Sequence, residues 1–121
     1  MDDIQNPAIE MSVLRDVTGD DAEGMRYLAV IFLKNARKCF ERIDIALESR
    51  DAPALRMAAH GGAGSCGSFG AEILSTHFRE LEKMGKMGDL TDAPAQTKEC
   101  KKEFERVVSC LNQLFPDQKA A

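Results

Sequence analysis

Between Asp20 and Arg50, apolar residues recur every three to four positions: Met25, Leu28, Phe32, Ala36, Cys39, Ile43, Ala46 and Leu47. At about 100° per residue they fall on one stripe, which predicts an amphipathic helix. A helix of about thirty residues is about 45 Å long. Its apolar side needs partners of comparable reach. Sustained period-2 alternation is missing from the chain, as are Asn-Gly and Asp-Gly hairpin turns, so the partners must be helices.

The rest of the chain supplies them. Asn6-Pro7 reads as an N-cap followed by proline at the first helical position, predicting a short helix to about Asp16. That helix would bury Ile9, Val13, Leu14 and Val17, and Gly19 would end it. Asp20 with Glu23 three residues on resembles a capping box and starts the long helix. A third helix, opened by Asp51-Ala52-Pro53, runs from about Ala52 to Gly67, followed by a turn at Ser68-Phe69-Gly70. The fourth covers about Ala71 to Met84, with Leu74, Phe78 and Leu81 inward and Gly85 and Gly88 closing it. Thr91-Asp92-Ala93-Pro94 starts the last, which reaches about Phe115 and buries Cys100, Phe104, Val107, Val108, Leu111 and Leu114. Connections of about 3–8 residues make neighbouring helices antiparallel. The expected fold is all-α: an up-and-down antiparallel four-helix bundle with a short extra N-terminal helix. At 121 residues the chain is one domain (1–121), with a core over about 7–115 and flexible ends.

Charge and cysteine usage narrow the function classes. Sixteen basic against twenty acidic residues give a net charge of −4. Lys98, Lys101, Lys102 and Arg106 cluster, but Glu99, Glu103 and Glu105 are interleaved, which describes a solvated helix face and not a nucleic-acid surface. No apolar run approaches the ~20 residues of a membrane span. Met1-Asp2-Asp3 opens no apolar signal segment, so a cytoplasmic protein with reduced cysteines is expected. With no CxxC pair and two histidines, neither a metal site nor an intrinsic cofactor is expected.

The glycines are the anomaly. Five of nine (Gly61, Gly62, Gly64, Gly67, Gly70) fall within ten residues. Four of them lie inside the third helix, where each costs about 0.8–1.0 kcal/mol relative to alanine. On a helical wheel Leu55, Ala59, Gly62, Cys66 and Phe69 face the core, and Gly62 there permits close packing. His60 points to solvent, with Arg56, Met57, Ala63, Gly64 and Gly67 as its neighbours at helical spacing. Gly64 and Gly67 would strip the surface beside the imidazole, letting another protein or a phosphoryl group approach the backbone. The plainer readings are an inert surface histidine or a phosphate-binding loop. Gly62, Gly64 and Gly67 stand at GxGxxG spacing, but no strand precedes them, and GxxxxGK[ST] is missing.

The run Ala59-His60-Gly61-Gly62-Ala63-Gly64-Ser65-Cys66-Gly67-Ser68-Phe69-Gly70-Ala71, then Leu74, Leu81 and Glu82, resembles the histidine-containing phosphotransfer (HPt) family. That motif is roughly His-x-x-Lys-Gly-x-x-x-x-x-Gly-Ala, followed by a helix ending in Leu-Glu. The resemblance implies that His60 accepts a phosphoryl group from a receiver-domain aspartate, or from a sensor kinase, and passes it to a response regulator. It implies a stoichiometric carrier in a two-component phosphorelay, not an autonomous kinase. Expected partners are receiver domains of hybrid kinases and response regulators, which supply the Mg2+; neither nucleic acid nor membrane is expected, and a monomer is the default expectation. Glu82 would orient the imidazole, its plainer reading being a solvated charge.

One position departs from the family. Ala63 stands where a lysine is usual, and Arg56, or more weakly Lys83, would replace its charge beside a phosphoryl group. The loss also leaves open a degenerate adaptor that binds receiver or kinase domains without carrying phosphate. Met57, Ala63, Gly64 and Gly67 form the expected partner surface. His77, on the inward side of the fourth helix, is expected to be structural, and a di-iron bundle is disfavoured because paired Glu-x-x-His ligands are missing.

Overall fold

The computed structural model describes residues 6–116; the expected flexible ends at 1–5 and 117–121 lie outside the described residues. Five helices and no strand are present among them: α1 (Met11–Thr18), α2 (Ala22–Glu48), α3 (Ala52–Phe69), α4 (Glu72–Met87) and α5 (Ala93–Leu114). α2 packs on α3, α3 on α4, α4 on α5, and α5 back on α2, while α1 lies against α2 and α3.

The contacts follow the apolar stripes. Phe78, Leu14, Ile43, Leu55, Leu74, Leu81 and Val107 are fully enclosed. Phe32 stacks on Phe69 with ring centroids 4.3 Å apart, joining α2 to the end of α3. Phe40 meets Phe78 of α4 and Phe104 of α5 at 5.2 and 5.4 Å. Offset and edge-on rings at such spacing add to the gain from burial itself. The α2–α5 seam is closed at the surface by Lys101 Nζ donating to Asp44 at 2.9 Å.

Local signals and structure part company in several places. The first helix begins at Met11, not at Pro7. Glu10 N donates to the Gly70 carbonyl at 2.7 Å, and Arg106 Nη2 donates to the Asn6 carbonyl at 2.6 Å. These tertiary bonds, with Ala8 and Ile9 buried, hold the segment out of helix despite its cap signal. Within α1, Leu14 points inward and Val17 is 61 % exposed, contrary to its expected burial.

The long helix is capped by Asp21, whose carboxylate accepts from Glu23 N, and not by Asp20. Gly19 and Asp20 both take positive φ, which shifts the helix start by one residue. Finally, Gly85 does not end α4. A Cβ there would lie 2.7 Å from Arg56 N and 2.8 Å from the Ala52 carbonyl oxygen. Gly85 is the point where two helix backbones nearly touch, and Gly88, at φ 73°, makes the left-handed cap. At the end of α5, Phe115 is buried while Leu114 is exposed.

Candidate functional site

The site is set by the register of α3 against α4. Arg56 lies against Gly85, Gly62 against Phe78, and the Ala63 carbonyl accepts from Ser75 Oγ at 2.9 Å. Gly62 is indispensable to this fit: a Cβ there would sit 2.8 Å from Cys39 Sγ and 3.0 Å from the Phe78 ring. With the two helices drawn together, His60 on α3 comes opposite Glu82 on α4.

His60 Nδ1 and Glu82 Oε2 are 2.7 Å apart. An ionised carboxylate only accepts, so the imidazole donates from Nδ1. In the neutral ring that leaves the Nε2 lone pair unprotonated. The His60 side chain is 72 % exposed and that of Glu82 is 23 % exposed. The acid is thus sheltered enough to hold the ring, while the imidazole faces solvent.

Around this pair the expected residues divide. Met57 is 70 % exposed, and Arg56 is exposed with no ion pair among the described residues. Gly64 is exposed, with open space where a Cβ would stand, and Gly67 is half-buried, its nearest neighbour Ser75 Oγ at 4.0 Å. Ala63 does not belong to the surface. It is 1 % exposed and sits in the α3–α4 seam, because α4 covers that side of the helix. Lys83 is exposed beside Glu82. The sequence reading passed over Lys86, also exposed, one helical turn beyond Glu82 and next to Gly85; the i,i+4 spacing from Glu82 was the available signal.

His77 is half-buried. Gln96 Nε2 donates to its Nδ1 at 3.0 Å and to its carbonyl at 3.3 Å, tying α4 to α5. This is the structural role expected of it. Burial pushes the Cys39 thiol up to about 11 and raises those of Cys66 and Cys100 further, which keeps all three protonated at neutral pH. Among the described residues no group of three His, Cys, Asp or Glu side chains could hold a metal ion, and no helix is long and apolar enough to cross a membrane.

The site is thus an exposed histidine in contact with an acid from the next helix, on a helix thinned by glycine. The profile of the Hpt domain family matches residues 28–110, over half of the chain. The chain belongs to the Hpt domain family. The crystal structure of histidine-containing phosphotransfer protein B (HptB) from Pseudomonas aeruginosa PAO1 is similar to this Hpt domain. Identity is 30 %, the match covers 89 % of this chain and 94 % of that one, and the TM-score is 0.80. A search of curated protein sequences finds no match. Membership of the family connects this Hpt domain with histidine phosphotransfer in two-component phosphorelays.

Proposed function

We propose that this Hpt domain is a phosphoryl carrier whose acceptor atom is His60 Nε2. The observation that carries the reading is the 2.7 Å contact between His60 Nδ1 and Glu82 on an otherwise open surface. The contact supports a ring proton on Nδ1, and Nε2 then attacks without first losing a proton. The donor is an acyl phosphate on a receiver-domain aspartate. The N–P bond forms as the bond between phosphorus and the acyl oxygen breaks, and the aspartate carboxylate leaves with the electron pair. Phosphorylation places positive charge on the ring, which the Glu82 carboxylate offsets through the retained Nδ1–H. The same steps in reverse deliver the group to a second receiver.

Phosphoryl transfer of this kind needs positioning and charge stabilisation more than covalent machinery. The partner receiver supplies Mg2+, and Arg56, with Lys86 one turn from Glu82, contributes positive charge from this side. The chain acts stoichiometrically, without kinase activity of its own. The closed ring of contacts through α2, α3, α4 and α5 supports reading the fold as an up-and-down antiparallel four-helix bundle that presents α3 outward.

The test is incubation with a receiver domain phosphorylated on aspartate. The chain should gain an acid-labile, alkali-stable phosphate, and His60→Gln should gain none. A label that persists in His60→Gln rules out this acceptor. One observation favours a second reading, an adaptor that docks without accepting phosphate: the usual lysine is replaced by Ala63, whose side chain is enclosed. Saturable receiver binding with no label in any donor and receiver combination would decide for the adaptor.

A further inference from the structure

Gly61 is the glycine of the run that neither helix packing nor the His60–Glu82 pair accounts for. It is exposed in the interior of α3, and nothing lies within 4 Å of where its Cβ would be. Alanine would fit and would favour the helix. Gly61 also lines a groove of about 340 Å³ between α2 and α3, immediately beside His60. Lys38 and Arg42, one helical turn apart on α2, form part of its wall together with Asn35, and Met57 of α3 lines it as well.

Both cations are exposed, and neither enters an ion pair among the described residues. In a chain of net charge −4 they make a local cationic spot that adjoins the phosphoacceptor. A side chain at position 61 would project into open space at the groove that Lys38 and Arg42 line. Missing side chains at a helix surface are useful when something else must occupy the room.

We propose that this groove selects the partner: it receives an acidic side chain of the receiver domain, standing beside that domain's phosphorylated aspartate. The inference rests on the carrier reading for the class of partner, and on the geometry for the chemistry. The carboxylate lies between Lys38 and Arg42, and its methylenes lie along Met57. Charge complementarity of this kind sets encounter rate and orientation more than total affinity, so it sorts receivers from one another.

Binding of a purified, unphosphorylated receiver domain, measured by calorimetry on the full chain, tests the groove apart from the chemistry. Gly61→Leu should raise the thermal midpoint, leucine being a good helix former, yet weaken receiver binding at least about tenfold. The double variant Lys38→Ala/Arg42→Ala should weaken binding comparably and flatten its dependence on salt. Charge reversal at Lys38 and Arg42 should be rescued by converting the receiver's acidic residue to lysine. An unchanged dissociation constant in Gly61→Leu, or an unchanged salt slope in the double variant, overturns the proposal. Wild-type chain that binds receiver but takes no label overturns the carrier reading alone; wild-type chain that binds no receiver overturns both.

Discussion

Glu82 reaches His60 Nδ1 from another helix, at 2.7 Å, and in the proposed carrier it decides which nitrogen is available. Removing it frees the ring to rotate and to exchange tautomers, while leaving the nucleophile in place. A hydrogen bond to a charged partner contributes about 1.5–3 kcal/mol, and the exposure of the pair puts it at the lower end. Glu82→Ala should therefore slow single-turnover transfer from a phosphoreceiver about tenfold. Glu82→Gln keeps an acceptor for Nδ1–H but loses the charge, so its rate should fall between the two. Equal rates in all three proteins would show that orientation by Glu82 is irrelevant. Arg56→Ala is expected to shorten phosphohistidine lifetime, read as loss of label with time, if its guanidinium faces the phosphoryl group; an unchanged lifetime removes it from the site. His60 stood out in the sequence through both helical spacing and the family motif, Glu82 through the motif alone, and the structure adds that the two are in contact. The misplacing of Ala63 has a physical cause. A wheel gives a residue's direction from its own axis but not where the neighbouring helix stands, and α4 covers that direction.

At the scale of elements, the glycines of α3 and α4 divide by what surrounds them, and stability should separate them by sign. Gly85→Ala drives a methyl into the backbone of Arg56 and Ala52. Neither backbone can give way by rotating a side chain, so a loss of about 1–3 kcal/mol is expected. Gly64→Ala meets open space, and should gain up to about 0.8–1.0 kcal/mol from helix propensity. Urea unfolding of the two variants measures both, and destabilisation by Gly64→Ala would mean that the α3 surface is packed after all. Asp51, whose carboxylate accepts from Ala54 N at 3.0 Å, caps α3; Asp51→Ala should cost about 1 kcal/mol. The existence of every helix was readable, since each carries its own apolar period. Their ends were less so. The start of α1 is displaced by hydrogen bonds to Gly70 and Arg106, residues distant in sequence that no local cap rule can see. Gly85 has the sequence appearance of a stop, yet it is a contact point, because glycine serves both purposes and only the position of α3 distinguishes them.

Taken as a whole molecule, the chain has buried three of its four thiols in one core, and this gives its stability a definite response to alkali. Cys39, Cys66 and Cys100 are enclosed, whereas Cys110 is half-buried. Desolvation raises the three enclosed thiols above their ordinary value of 9.0, Cys39 to about 11. The nearby Arg42 charge opposes the shift at Cys39 without cancelling it. Well below pH 9 the folded and unfolded chains both keep these protons, so the thiols add almost no pH dependence there. Above it the unfolded chain releases them while the folded chain holds them. Folding then binds protons, and stability falls as pH rises, with up to about 1.4 kcal/mol lost per pH unit for each thiol. The loss attributable to Cys39 levels off once pH passes about 11, and that of the deeper pair continues. Urea midpoints at pH 8, 9, 10 and 11 should fall slightly over the first step and drop steeply over the others. Replacing Cys66 and Cys100 with alanine should shallow the drop even if it lowers stability overall. A thiol-reactive disulfide reagent at pH 8 gives an independent reading: Cys110 alone should react in the folded chain, and all four cysteines after unfolding. Rapid modification of Cys39 in the folded state would show that the groove beside His60 opens to its floor.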